Sequence, residues 1–180
     1  MKKLGIKNIV LYLLSAVLVV FYLVVLFWGQ NPTVPPEYEM YYITHELKVW
    51  PGYNNLAYEL GKAEYCTNNY NSKIEADKAV RRRGAGWHYV DKHGSHSYED
   101  EAYLYYIPNE SKSDAELRVE IKKYRGAEET YVYAGEECLG SFNGTGTYYF
   151  KIPQVVKDEV LAIKFKTEGS RFTLWRMKIS

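Results

Sequence analysis

The chain has 180 residues, of which 47% are hydrophobic, 16% aromatic and 25% charged, and its formal charge is +1. That much aromatic area excludes a disordered tail, the length leaves room for about one domain of roughly 100–200 residues rather than a multidomain enzyme, and near-neutrality argues against a nucleic-acid partner. Tyrosine is the outlier, with 19 copies.

Residues 1–8 form a short basic lead that carries Lys2, Lys3 and Lys7 and no acidic residue. Residues 9–28, IVLYLLSAVLVVFYLVVLFW, contain no charge. At about 1.5 Å rise per residue they span roughly 30 Å, the hydrocarbon thickness of a bilayer. The expectation is one transmembrane helix acting as a signal-anchor. The lysines before it hold the N-terminus in the cytoplasm, and the remainder lies outside. A cleaved secretory signal is the competing reading, but Leu26, Phe27 and Trp28 offer no small-residue cleavage site, and Tyr22, Phe27 and Trp28 suit an aromatic belt at the outer interface. Residues 29–37, which contain NPTVPP, read as a Pro-rich spacer. Residues 38–180 read as the extracytoplasmic domain, and the whole part after the anchor is near −2 in charge once the three anchor lysines are set aside.

The segment from Tyr38 to Trp50 fits neither the helical nor the strand period and is taken as a first strand or a packed approach. Beyond Pro51 the period becomes mainly two. Leu117, Val119 and Ile121 alternate with Arg118, Glu120 and Lys122; Tyr148, Phe150 and Ile152 and then Leu161, Ile163 and Phe165 repeat the pattern. Further strands are expected at residues 56–60, 79–83, 87–90, 102–107, 130–133 and 172–179. Ala134-Gly135-Glu136 reads as a tight hairpin, with Gly135 free to take positive φ. Short strands at this spacing, with almost no helix outside the anchor, predict a mainly β fold: an antiparallel, jelly-roll-like β-sandwich behind one N-terminal transmembrane helix.

The run GWHYVDKHGSHSYEDEAYLYYIP from Gly86, followed by ELRVEIKKY, TYVYAGEECLGSF, GTYYFKIP, VLAIKFKT and RFTLWRMKIS, resembles galactose-binding-like jelly-roll domains. More narrowly, it resembles those appended to bacterial membrane proteins of surface-polysaccharide assembly. The resemblance covers about half the chain and departs from the usual Asn-Gly hairpin, which is Ala134-Gly135 here. It implies a binding or architectural module without identifying a ligand, because sandwich folds host unrelated functions.

The densest cluster of chemistry lies around Trp87. A sugar site needs an aromatic platform for the C–H face of a ring and carboxylates or imidazoles for its hydroxyls, and Trp87, His88, Tyr89, Asp91, His96 and Glu99 are the candidate ligand-binding residues. The alternative for Trp87 is burial in the sandwich core. His88, His93 and His96 raise the option of zinc or copper, and Asp91, Glu99 and Asp100 that of calcium, but spacings of five and three on a loop do not fix convergence, so no metal is assigned. His96 beside Glu99 or Asp100 is the nearest thing to a catalytic pair. Without GxSxG, HExxH or a phosphate-cradling glycine loop, no catalytic residue and no cofactor is expected.

Arg81, Arg82 and Arg83 read as a strand whose middle arginine faces opposite to its neighbours. Cys66 and Cys138 are a candidate disulfide in an exported chain. The leading functional reading is a membrane-anchored, non-catalytic module binding a cell-surface glycan. The alternatives are an interaction or architectural subunit of a membrane complex for envelope polysaccharide assembly, and a His-loop metal protein or hydrolase.

Overall fold

The structure, a computed structural model, describes residues 6–30, 34–67 and 81–180. Three spacer positions, 31–33, and the first two of the strand expected at 79–83 lie outside the described residues. The chain divides into two units, with the boundary between Val34 and Pro35. The first contains α1 (Ile6–Gln30), an uninterrupted helix long and apolar enough to cross a bilayer. A signal sequence near an N-terminus passes the same test.

The second unit opens on α2 (Pro36–Tyr38), which widens into a π-helical turn over Glu39–Ile43. Pro36 occupies the first helical turn, where its fixed φ and missing N–H cost nothing. The segment is therefore a packed helical approach, and the strand expected there is not formed. Met40 and Leu47 are buried with Leu56 and Tyr105, so this segment covers one sheet's outer face.

Eleven strands follow among the described residues: β1 (Ala57–Tyr58), β2 (Ala63–Tyr65), β3 (Trp87–Asp91), β4 (Gly94–Ser97), β5 (Glu101–Pro108), β6 (Lys112–Arg125), β7 (Thr130–Ala134), β8 (Glu137–Phe142), β9 (Gly146–Val155), β10 (Leu161–Thr167) and β11 (Arg171–Ile179). They form two sheets, ordered β1-β5-β10-β7-β8 and β3-β4-β11-β6-β9, with β2 paired to β11 beyond β4. All pairings are antiparallel except β1 with β5, so the first sheet is mixed. The fold is a β-sandwich behind an apolar N-terminal helix. Gly135, at φ +58, opens the two-residue turn between β7 and β8, as a turn with glycine at its first central position requires.

Between the sheets, Leu117, Val119 and Ile121 of β6 meet Ile163 and Phe165 of β10 and Leu104 and Tyr106 of β5 in one continuous core. Each such side chain contributes about 1.5–3 kcal/mol through burial. Phe142, Phe165, Phe172 and Trp87 pack edge-on or tilted at one end of it.

A charged group sits among these apolar ones. Arg82 is 1% exposed. Its Nη1 donates to the Leu56 carbonyl at 2.6 Å, and its Nη2 donates to the Ala57 carbonyl at 2.7 Å and to Glu64 Oε1 at 2.9 Å. The guanidinium lies 4.7 Å from the Tyr106 ring centroid and 5.8 Å from that of Tyr58. It thereby ties the short strands β1 and β2, which have little packing of their own, to the sandwich. Tyr58 adds a second tie: its hydroxyl accepts from the Ile179 N–H at 2.9 Å and donates to the Lys62 carbonyl, and burial pushes its pKa up to about 12. The arginine run is not a strand; of the three, Arg83 alone forms an isolated bridge, to Leu104.

The candidate disulfide is not formed. Cys66, buried beside β4 and β11, and Cys138, exposed on the edge strand β8 of the other sheet, are both free thiols. Burial lifts the Cys66 thiol to about 12, so it stays protonated and unreactive.

Removing one member of a buried ion pair costs about 3–5 kcal/mol, because the other charge is left desolvated. Arg82→Ala should therefore lower the unfolding free energy of the full-length chain in micelles by about that amount, read from near-ultraviolet circular dichroism in urea. Arg125→Ala, on the wet face of β6, should change it by less than about 0.5 kcal/mol. Equal effects would contradict the anchoring role of Arg82.

Candidate functional site

The site lies on the outer face of the sheet β3-β4-β11-β6, and three register irregularities create it. Between Trp87 and Val90, β3 advances three residues while β4 advances two, from Ser97 to Ser95. The extra residue turns Trp87 inward and leaves His88 and Tyr89 both outside. Along β6, Ile121 faces Leu174 and Lys123 faces Thr173, so Lys122 is extra; along β11, Leu174 faces Ile121 and Arg176 faces Glu120, so Trp175 is extra. Each bulge puts two consecutive side chains on one face and reverses the alternation beyond it. Below the irregularities Ile121 and Met177 point into the core; above them Tyr124 and Phe172 do.

Gly86 sets the direction in which β3 starts. It has φ +86, and a Cβ there would lie 1.8 Å from the Glu101 carbonyl oxygen. The following indole is locked inward. Trp87 is 2% exposed, donates from Nε1 to the Tyr103 carbonyl at 2.7 Å and meets Phe165 and Phe172 edge-on. It is a core residue, and the expectation that it offers a sugar platform is corrected, since neither face of its ring reaches solvent.

The exposed rings are its neighbours. Tyr98, His88, Tyr89 and His96 form a continuous row, with successive centroids 5.2, 4.9 and 4.3 Å apart. Tyr98 is 62% exposed and Tyr89 50%. They border a groove of about 380 Å³ whose floor and far wall are Thr173, Lys123, Arg125 and Arg171. Glu99 is exposed but does not line it.

His96 holds the row in place. Its ring stacks on Tyr89, its Nδ1 lies 3.0 Å from Thr173 Oγ1, and its Nε2 lies 3.0 Å from Asp91 Oδ1, out of line for a straight hydrogen bond. The carboxylate favours the proton on Nε2, which leaves Nδ1 to accept from the threonine hydroxyl. Asp91 also accepts from the backbone N–H groups of His93 at 2.7 Å and Gly94 at 3.2 Å, closing the β3–β4 turn. Burial raises the Asp91 pKa, but the contact with His96 and the His93 N–H outweigh it and hold the carboxyl below its usual range.

The order hydroxyl, imidazole, carboxylate is that of a nucleophile relay. Thr173 is 2% exposed and its hydroxyl is engaged with His96, an arrangement that orients the imidazole ring. His96 pairs with neither Glu99 nor Asp100; Asp100 lies 3.2 Å from Arg171 instead. Nor do His88, His93 and His96 converge: among the described residues no group of three or more His, Cys, Asp or Glu is placed to hold a metal ion.

The electrostatics of the groove are one-sided. Arg125 and Arg171 are directly opposed across β6 and β11, and Thr173 opposes Lys123. Like charges directly opposite on a sheet are destabilising. Asp100 answers Arg171, but among the described residues Lys123 and Arg125 have no ion-pair partner. Just beyond, Lys122 stands 4.9 Å over the Trp175 ring, which meets Tyr65 edge-on at 6.0 Å. Lys123, Arg125, Arg171 and Thr173 escape a reading along the chain because only cross-strand register brings them together. The signal that could have found them is the broken alternation in Ile121-Lys122-Lys123-Tyr124 and Leu174-Trp175-Arg176-Met177.

No family model matches the sequence, and no curated protein matches it. Among solved structures the chain is similar to the mosquito-larvicidal Cry4Aa toxin of Bacillus thuringiensis, with a TM-score of 0.45 and 10% identity over 68% of this chain and 24% of the toxin. It thus spans about a quarter of that toxin's length. It is also similar to the CBM36-1 domain of a multidomain xylanase from the hindgut metagenome of Trinervitermes trinervoides (TM-score 0.39, 12% identity, 66% of this chain and 95% of that one). A third is a carbohydrate-binding module CBM36 in complex with calcium and xylotriose (TM-score 0.32, 15% identity, 51% and 82%).

Because the folded Asp91 pKa is depressed, its contribution to the β3–β4 turn is fully present above the ordinary carboxylate range and is lost as pH falls through the lower, folded value. The amide resonances of His93 and Gly94 should therefore hold their positions through the ordinary range and shift only in stronger acid. In Asp91→Asn that acid transition should vanish. A midpoint at or above the ordinary value would contradict the assigned hydrogen bonds.

Proposed function

We propose that this chain is a membrane-anchored, non-catalytic module, displayed outside the cytoplasm, that holds an acidic cell-surface glycan in the groove on the outer face of β3-β4-β11-β6. The observation that carries the reading is the pairing of two unlike walls. On one side, the rings of Tyr98, His88 and Tyr89 stand exposed in a row. On the other stand three cations, of which Arg125 and Arg171 oppose each other directly.

An aromatic row suits the C–H faces of pyranose rings, and several exposed rings in succession suit an oligosaccharide rather than a single sugar. Guanidinium groups suit carboxylate or sulfate substituents, which they bind with two parallel hydrogen bonds. A bound polyanion would also relieve the repulsion between Arg125 and Arg171. The charge-free run 9–28 within α1 supports the anchoring, and Lys2, Lys3 and Lys7, which precede that run without a compensating acid, support the orientation.

The test is binding of the full-length chain in micelles to an array of neutral and uronate- or sulfate-bearing glycans. Acidic glycans should give the signal, and added salt should weaken it. Tyr98→Ala should weaken binding about tenfold, equivalent to about 1.4 kcal/mol, through loss of the stacking ring. Lys123→Ala with Arg125→Ala should remove the preference for acidic over neutral glycans. No signal from any acidic glycan, or variants that bind as the wild type does, would overturn the assignment.

A further inference from the structure

A second aromatic surface lies away from the groove, in the helical approach and the loop after it. Trp50 is its hub, with ring centroids 6.5 Å from Tyr38, 5.3 Å from Tyr42 and 5.5 Å from Tyr53. Tyr38, Tyr42 and Tyr53 are exposed, as are Ile43 and Val49 beside them. The opposite side of the same segment is committed to the protein through Met40 and Leu47. The backbone is thus held while the rings face solvent. Contiguous exposed apolar surface of this kind marks a contact site.

We propose that this ring cluster seats the domain in the headgroup layer of the membrane that α1 enters; the proposal rests on reading α1 as an anchor. Covalent geometry limits the distance. Tyr38 is the eighth residue after Gln30, the end of α1, and at most about 3.5 Å per residue keeps its Cα within roughly 28 Å of the helix end. Composition fits the same occupant. Tyrosine and tryptophan have an apolar body and a polar tip, and they concentrate at the membrane–water interface, where one end is dry and the other wet. Ile43 and Val49 add aliphatic surface of the kind that enters the acyl boundary. Seated this way, the domain has two attachments to the bilayer, one covalent and one through the rings, which fixes its tilt and therefore the direction in which the groove opens.

The experiment uses the full-length chain, with Cys138→Ser, one copy per phosphatidylcholine nanodisc. Cys66 is buried and does not label, so a nitroxide can be placed singly at Val17→Cys in α1, at Val49→Cys in the cluster, or at Glu110→Cys as an exposed control. Relaxation is read with a water-soluble nickel chelate and with a nickel-chelating lipid headgroup. The proposal expects the label at 49 to lose most of its relaxation by the soluble chelate, relative to the label at 110, and to be relaxed by the headgroup nickel. If the label at 17 reports bilayer insertion while that at 49 behaves as that at 110 does, the seating fails and the anchor stands. A label at 49 shielded from both reagents also overturns it, since that is the signature of a protein contact. A label at 17 open to the soluble chelate overturns the anchor reading, and the seating with it.

Discussion

Strand side chains alternate strictly, and a sandwich core accepts only one of the two sets, so a single extra residue in a strand decides what its far end shows to water. Three strands of one sheet carry one such residue each, β3, β6 and β11. Everything chemically notable on the outer face follows. The bulge in β3 puts His88 and Tyr89 on the same side; those in β6 and β11 put Lys122 beside Lys123 and Trp175 beside Arg176, and set Arg125 against Arg171. With regular pairing Phe172 or Tyr124 would face water, and the core would lose part of the cluster around Phe142. The bulges therefore serve packing and site together.

A second constraint works from below. The groove is shallow and lies on a sheet, so its geometry is only as fixed as the sheet. Its aromatic wall begins one residue after Trp87, whose indole is pinned in the core by the Tyr103 carbonyl and by the lack of room at Gly86. The edge beside it, β2, is short and is held by a buried guanidinium. Arg82 exchanges solvation for two carbonyls, one carboxylate and two ring faces. The buried parts are packed and charge-paired; the exposed rings of the groove stand on top of them.

Much of the sandwich was legible in the sequence wherever alternation is unbroken: residues 117–121 of β6, 148–152 of β9 and 161–165 of β10 all show it. It was not legible where tertiary contacts decide. The segment after Pro36 becomes helical because Met40 and Leu47 find Leu56 and Tyr105, which lie well downstream. β2 is too short to have a period. Cys66 and Cys138 look like a candidate pair along the sequence, yet Cys66 lies just past β2 beside one sheet and Cys138 lies in β8 of the other. For the site, the region around residue 88 was visible as a cluster of aromatic and polar side chains, but inward and outward members could not be separated without knowing the bulge in β3. The cationic wall was hidden altogether, since Lys123, Arg125 and Arg171 become neighbours only through the pairing of β6 with β11.

The central claim is that this wall and the ring row together recognise a negatively charged sugar chain. Titration calorimetry on the full-length protein with a matched pair of oligosaccharides tests it most directly: one bearing uronic carboxylates, the other the same chain with those carboxylates reduced to alcohols. The account predicts saturable, salt-sensitive heat for the acid form and at least a tenfold weaker response, about 1.4 kcal/mol, for the reduced one. Equal affinity for the two, or tighter binding of the reduced chain, would contradict it.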